Sequence, residues 1–301
     1  MLLDRLHDAM GKELILTDEP MSRHTSFRTG GSCDIMVLPK TLEDIRRAVD
    51  FCRQEKIKPV ILGNCTNVLV SDKGIRGICI KISKGFDGIT VEGKTLTAEA
   101  GSLLSHLART AYEHGLEGLE FASGIPGTTG GGVCMNAGAY GPEIKDVLVS
   151  TTYMDPDGSI HSIGNADHGF SYRKSVFSIG ESIILNSVFR LEEGDKETIR
   201  TRMLDLNGRR MKSQPLDLPS AGSVFKRPQG YFAGRLIEEC QLKGHCVNGA
   251  AVSHKHAGFI VNLKGDATSG DVKRLIDDIT DRVYNKFGVL LETEIKYIGE
   301  W

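Results

Sequence analysis

Between Gly124 and Gly132 the chain reads Gly-Ile-Pro-Gly-Thr-Thr-Gly-Gly-Gly, so that seven of nine residues are glycine or threonine, and Asn136-Ala137-Gly138-Ala139-Tyr140-Gly141 follows shortly after. Glycine turns through positive φ at no steric cost and lets bare N–H groups approach an anion or a flat ring. A surface loop without a ligand would be expected to carry charge, whereas Ile125, Val133, Met135 and Tyr140 give this stretch an apolar lining. The run therefore reads as a ligand loop, with a pyrophosphate or a flat cofactor as its occupant. Glycine is plentiful throughout, at 35 of 301 residues against a usual share of ~7%. Without a strict period, that surplus means many tight turns and not a fibrous repeat.

Apolar residues make up 40% of the chain, enough for a large core, and the length suggests two or three domains. A net charge of −2 argues against non-specific nucleic-acid binding. The opening Met1-Leu2-Leu3-Asp4-Arg5-Leu6 has neither a long apolar segment nor a cleavage site, and no run of uninterrupted apolar residues is long enough to span a bilayer. A soluble, cytoplasmic protein without membrane insertion is expected. The seven cysteines are odd in number, scattered and never spaced C-x-x-C, which suggests neither a disulfide framework nor a zinc site. His254-Lys255-His256 and His245-Cys246 lack a matching ligand pair elsewhere, so no metal is expected.

Thr41-Leu42-Glu43-Asp44 opens a helix with Leu42, Ile45, Val49 and Cys52 at helical spacing, flanked by strands at 34–38 and 59–62. The second strand runs into Gly63-Asn64-Cys65-Thr66-Asn67 and then Val68-Leu69-Val70; this segment is either a second anion loop or a hairpin turn. A helix near 103–114 closes at Gly115, and Asp155-Pro156-Asp157-Gly158 joins 147–154 to 159–163 as an antiparallel pair. The two glycine loops are expected to face each other across a crevice. A charged helix over 196–211, helices over 232–239 and 271–287, a strand at 258–262 and a final strand at 290–297 complete the pattern. The division reads as 1–83, 84–200 and 201–301.

Two common nucleotide signatures are missing. Gly130 and Gly132 form the one closely spaced G-x-G, but Met135 stands where a dinucleotide fingerprint needs its third glycine, and no G-x-x-x-x-G-K-[ST] occurs. A cofactor held by two separated glycine loops remains, and flavin fits best.

His24-Thr25-Ser26-Phe27-Arg28-Thr29-Gly30-Gly31, the Gly63–Val70 segment, Ala122-Ser123-Gly124-Ile125-Pro126-Gly127, Met135 to Gly141, Tyr172-Arg173 and Pro219-Ser220-Ala221-Gly222-Ser223-Val224-Phe225-Lys226 together resemble the UDP-N-acetylenolpyruvoylglucosamine reductase (MurB) family, across nearly the whole chain. The resemblance implies an α+β protein with a two-part FAD-binding domain similar to vanillyl-alcohol oxidases (PCMH-type) and a separate substrate domain. It implies NADPH as reductant and reduction of UDP-N-acetylglucosamine-enolpyruvate to UDP-N-acetylmuramate for peptidoglycan. It places FAD on Gly63, Asn64, Cys65, Thr66 and Asn67, on Ser123, Gly124, Ile125, Pro126, Gly127 and Thr128, and on Gly130, Gly131, Asn136, Gly138, Ala139 and Tyr140.

By the same resemblance, Arg173 binds the substrate carboxylate, Ser223 donates the proton and Glu294 stabilises the enolate, with Tyr172 and Lys226 also contacting substrate. Alternation along 290–297 puts Glu292, Glu294 and Lys296 on one face and Leu291, Thr293, Ile295 and Tyr297 on the other. Arg209, Arg210, Lys212, Lys226 and Arg227 are candidates for the diphosphate. Cys65-Thr66 departs from the family's more usual glycine-serine, and with no histidine in that loop the FAD is expected to be non-covalent. The interval from Arg173 to Gln214 leaves no room for the tyrosine-bearing loop of the longer subclass, so the chain resembles the shorter one; a monomer is expected. A related flavoprotein oxidase of a hydroxyl substrate and a catalytically silent UDP-sugar binder are the alternatives.

Overall fold

The computed structural model describes residues 2–178 and 180–301. The chain divides into two compact, interleaved units, one made of Met1–Thr17, Ile35–Asn64 and Gly77–Arg209, the other of Asp18–Asp34, Cys65–Arg76 and Arg210–Trp301.

A five-stranded antiparallel sheet dominates the first unit, in the order Ile160–Gly164, Leu148–Met154, Ile183–Arg190, Thr95–Glu99, Ile89–Glu92. The expected pair around the Asp155-Pro156-Asp157-Gly158 turn forms in the register Ile160↔Met154 to Gly164↔Ser150. Gly158 sits at φ 87 and its N–H donates to the Asp155 carbonyl at 2.9 Å, a position that favours glycine. Helix Leu104–Glu113 buries Leu104, Leu107, Ala108 and Ala111, a stripe at helical spacing, and the chain leaves it through Gly115 at φ 68.

Helix Leu42–Gln54 begins at a capping box, in which the Asp44 N–H donates to Thr41 Oγ1 at 3.1 Å and the Thr41 N–H to Asp44 Oδ2 at 3.0 Å. Ile45, Ala48, Val49 and Cys52 face the core, but Leu42, in the first turn beyond the packed stripe, is 39% exposed. The strand expected at 34–38 spans Ser32–Val37.

The hairpin alternative for 63–67 fails on pairing. Val60–Leu62 runs parallel to Ile75–Lys81, with Val60 opposite Cys79, whereas Val68–Val70 runs parallel to Lys296–Ile298 in another sheet. The segment is therefore a connection between two parallel pairings and not a tight turn between antiparallel neighbours.

In the second unit, Cys246–Val247, Ala250–Val252 and Ile260–Asn262 form a three-stranded antiparallel sheet. Helix Ser269–Phe287 is capped by a Thr268/Asp271 box, buries Val272, Leu275, Ile276, Ile279 and Val283, and ends at Gly288 with φ 67. These residues join Phe27, Leu69, Val224, Ile237 and Ile260 in one core. The expected final strand is shorter than its alternation suggested: only Lys296–Ile298 is strand. The alternation itself holds, because Leu291 and Ile295 are buried while Glu292 and Lys296 are exposed. Among the described residues no helix is long and apolar enough to cross a membrane, and no group of three or more His, Cys, Asp or Glu side chains is placed to hold a metal.

Candidate functional site

In the first unit the two glycine loops are fastened to each other. Asn64 Nδ2 donates to the Pro126 carbonyl at 2.8 Å. A Cβ at Gly63 would lie 2.6 Å from Thr128 Oγ1, so the approach of these backbones depends on glycine at that position. The main-chain N–H groups of Asn64, Gly124, Gly127, Thr128, Gly138 and Tyr140 meet no acceptor among the described residues, although Thr128 is only 2% exposed. A buried amide without an acceptor costs free energy, and several gathered on small residues suit the phosphates and polar ring edge of a dinucleotide. FAD fits these residues on that ground.

Other polar groups of these loops are spent inside the protein. Thr129 and Gly130 donate their N–H groups to the carbonyls of Ser102 and Ala100 at 2.7 and 2.9 Å, and a Cβ on Gly130 would sit 2.9 Å from that of Ala100. Gly130 thus seats the short helix Thr129–Cys134 on the chain at Ala100, while the Gly131 N–H donates to Thr128 Oγ1 at 3.4 Å. Ser123 Oγ donates to the Glu120 carbonyl at 2.8 Å and lies 3.2 Å from Asn207 Nδ2, a partner that the sequence did not single out.

Asn136 organises the next loop. It is fully buried at φ 42; its Nδ2 donates to Glu143 Oε2 at 2.9 Å and to the Ser171 carbonyl at 3.3 Å, and its Oδ1 accepts the Lys145 N–H at 3.1 Å. These bonds tie the Gly138–Tyr140 segment to the turn that carries Tyr172 and Arg173. A Cβ on Gly138 would meet Glu143 Cγ at 2.7 Å, which keeps the loop folded on itself. The Arg173 guanidinium donates to the Gly138 carbonyl at 3.3 Å and stands 5.0 Å from the centroid of the Tyr172 ring. Arg173 and Tyr140 both adopt left-handed backbone, at φ 56 and 59, a strained state for a side chain of that size. Tyr140 and Ala139 also line a cavity of about 590 Å³ together with Glu120, Arg202 and Arg209.

In the second unit, segments distant in sequence meet on one ladder. The Val224 N–H donates to the Gly258 carbonyl at 2.9 Å, the Glu294 N–H to the Val224 carbonyl at 2.7 Å, and the Lys226 N–H to the Glu292 carbonyl at 2.8 Å. Ser223 pairs with Phe259, and Phe225 with Thr293. Ser223 and Glu294 are therefore carried on backbones one hydrogen bond apart. Asn67 joins them: its Nδ2 donates to the Glu294 carbonyl at 3.2 Å and its own carbonyl accepts the Lys296 N–H at 2.9 Å.

Lys226 Nζ lies 2.8 Å from Glu292 Oε2, which makes Glu292 its counter-ion and lowers the carboxyl's pKa through that hydrogen bond. Cys65 sits at φ 52, 5% exposed, with its carbonyl accepting the Ser26 N–H at 3.2 Å; the departure at this position thus still permits a left-handed turn. Glu143, Asn207 and Asn262 were not legible as organisers. Asn262, fully buried, donates to the Phe27 carbonyl at 3.1 Å and accepts the Ala267 N–H at 3.1 Å, a role that an isolated asparagine in a strand does not announce.

An FAD-binding region and relatives that are reductases define a flavin-dependent oxidoreductase. Residues 33–164 match the family model of the FAD binding domain, and residues 214–298 match that of the UDP-N-acetylenolpyruvoylglucosamine reductase C-terminal domain. The chain belongs to the UDP-N-acetylenolpyruvoylglucosamine reductase family. It is 48% identical to such a reductase from Caldanaerobacter subterraneus subsp. tengcongensis, over 100% of this chain and 99% of that one, and 46% identical to one from Clostridioides difficile, over 98% and 97%. The crystal structure of the Thermus caldophilus enzyme superposes with a TM-score of 0.81 at 34% identity, covering 95% of this chain and 98% of that one. A variant of Phl p 4, a glucose oxidase, shares the fold alone, with a TM-score of 0.51 at 16% identity over 65% of this chain and 44% of its own.

Proposed function

We propose that this chain reduces UDP-N-acetylglucosamine-enolpyruvate to UDP-N-acetylmuramate, with non-covalently bound FAD and NADPH as reductant. FAD held on the loops around Asn64, Gly124 to Thr128 and Gly138 to Tyr140 would supply the hydride chemistry that links NADPH to the methylene carbon of the enolpyruvyl group. The residues of this chain handle the charge and the proton. Arg173 holds the substrate carboxylate through two parallel N–H···O bonds, with Tyr172 stacked against its guanidinium. Hydride addition leaves negative charge on the carbon next to that carboxylate. Ser223 Oγ–H gives its proton to this carbon, and Glu294 stabilises the enolate as a hydrogen-bond donor. Lys226 contacts the substrate's diphosphate from beside Glu292.

The pairing of the Glu294 N–H with the Val224 carbonyl carries this reading furthest, because it brings the segment of the proposed proton donor and that of the glutamate side by side from positions far apart in sequence. A single chain carries all three groups, which supports a monomer, and a charged sugar nucleotide that does not cross a bilayer supports a cytoplasmic site of action. Cell-wall precursor supply is the corresponding role.

Stopped-flow spectroscopy tests the reading. NADPH is expected to bleach the flavin, and the enolpyruvyl sugar nucleotide to restore its colour. Bleaching by a hydroxyl substrate instead would favour an oxidase, and no bleaching at all would favour a binding protein.

A further inference from the structure

His256 lies in a tight turn three residues before Phe259, which pairs with Ser223. The Gly258 N–H donates to His256 Nδ1 at 3.1 Å. An acceptor nitrogen carries no hydrogen, so this ring is neutral with its proton on Nε2. The turn is closed by the Phe259 N–H on the His256 carbonyl at 3.0 Å, by the Ser253 N–H on the Phe259 carbonyl at 2.9 Å and by Ser253 Oγ accepting the His256 N–H at 3.3 Å. Glycine at two positions makes room for the ring: a Cβ on Gly258 would be 3.0 Å, and one on Gly234 3.3 Å, from His256 Cε1. The Phe259 ring packs edge-on at 5.0 Å.

From that ring a continuous chain of hydrogen bonds reaches the candidate proton-transfer groups. Gly258 receives the ring's support at its N–H and offers its carbonyl to the Val224 N–H at 2.9 Å; the Val224 carbonyl takes the Glu294 N–H at 2.7 Å; the Glu294 carbonyl takes Asn67 Nδ2 at 3.2 Å. Of these positions, Val224 is the neighbour of Ser223, and Glu294 is itself assigned to the reaction. We propose that His256 is a positioning residue, whose neutral ring fixes Gly258 and through it the backbones that set Ser223 Oγ and the Glu294 carboxyl at the substrate. This rests on the function proposed above.

Protonation of the ring would replace the acceptor with a donor facing the Gly258 N–H, so the geometry depends on the ring staying neutral. Burial holds the His256 pKa below 6.5, a hydrogen bond with the main chain of His256 itself opposes that, and Lys243 lowers it while Glu238 raises it. Lys243 and Glu238 are paired at 2.6 Å, which leaves little net field from the helix Ala233–Glu239 and the segment after it. On its own turn, Lys255 points its ammonium at the Met211 carbonyl and His254 packs its ring over Gly244.

The two half-reactions, measured separately in holoenzyme, test this. His256→Leu removes the acceptor and is expected to slow substrate-driven flavin reoxidation by about tenfold or more while NADPH-driven bleaching stays within about twofold. His256→Asn places an oxygen acceptor near the Nδ1 position without a titrating ring; it is expected to restore reoxidation to within about threefold of the unaltered enzyme. The unaltered enzyme is expected to lose reoxidation rate on acidification below the ordinary imidazole range, and His256→Asn to remove that loss. Reoxidation unchanged in His256→Leu, both half-reactions slowed alike, or an acid fall that persists in His256→Asn would overturn the proposal. Should His256→Leu not fold, the pH profile of His256→Asn decides alone. A failure of the proposed function reads differently, since NADPH would then leave the flavin of the unaltered protein unbleached.

Discussion

The two units solve recognition with different parts of the chain. In the first, unsatisfied main-chain amides around Asn64, Gly124, Gly127 and Thr128 are presented by glycines that keep side chains out of the way. In the second, the proposed proton-handling groups are side chains, and the main chain aligns the segments that carry them: Ser223, Glu294 and Asn67 sit on three segments joined by consecutive hydrogen bonds. A backbone site advertises itself through composition, because only glycine allows it. That segments carrying residues 67, 223 and 294 meet on one ladder is a long-range fact that no local run announces.

If this division is sound, lesions in the two units fail in opposite ways. The largest effect is expected from Glu294→Ala, which removes enolate stabilisation and should slow flavin reoxidation by substrate about a thousandfold, with FAD content and NADPH-driven bleaching unchanged. Rapid-mixing absorbance at the flavin band measures it, and a matching loss of bound FAD would break the comparison. Gly63→Ala should do the reverse. Its new Cβ would press on Thr128 Oγ1 from 2.6 Å, so the loops part and FAD affinity falls by about tenfold or more, while each molecule that keeps its flavin turns over normally. Fluorescence titration of the apoprotein with FAD sharpens the point; undiminished affinity would mean that these amides are not the cofactor's cradle.

The smallest expected effect concerns the histidine of each unit that folding holds neutral. In the first unit His168 is fully buried, donating from Nδ1 to the Gly164 carbonyl at 2.8 Å and accepting at Nε2 from Thr151 Oγ1 at 2.9 Å. Burial lowers its pKa from 6.5, as it does for His256. For both, the unfolded chain binds more protons near and below pH 6.5, so stability is complete above that value and is lost as pH falls toward the folded pKa values. Urea midpoints should therefore drop between about pH 7 and pH 5.5, and His168→Gln should flatten part of that slope. A midpoint that rises on acidification would contradict the neutral assignment.

Helices whose caps and apolar spacing are local were legible in advance. Thr41 with Asp44, and the stripe from Val272 to Val283 closed by Gly288, are self-contained signals. So was the Asp155–Gly158 turn, whose strands form the expected antiparallel pair. Parallel partners were not: Val60–Leu62 and Val68–Val70 find theirs at Ile75–Lys81 and Lys296–Ile298, and parallel pairing needs no turn residues to announce it. The final strand shows the same gap. Alternation from Leu291 to Tyr297 reports which side is buried but not how far a neighbouring strand accompanies it, and Val68–Val70 accompanies only Lys296–Ile298.

Within the candidate site, the glycine runs were conspicuous, whereas the work of individual residues inside them was not. Gly130 and Asn136 sit amid the expected cofactor set, yet their hydrogen-bonding groups are committed to Ala100 and to Glu143, Ser171 and Lys145. Sequence shows that a loop is built for close approach; which of its atoms face a ligand depends on partners tens of residues away.

Ser223→Ala gives the most direct test of the account's central claim, that this chain reduces its substrate by pairing flavin chemistry with a proton from Ser223. With the variant reduced anaerobically by NADPH and then mixed with the enolpyruvyl sugar nucleotide, bleaching is expected at the unaltered rate and reoxidation to be slower by about a thousandfold or more. Reoxidation at the rate of the unaltered enzyme would contradict it.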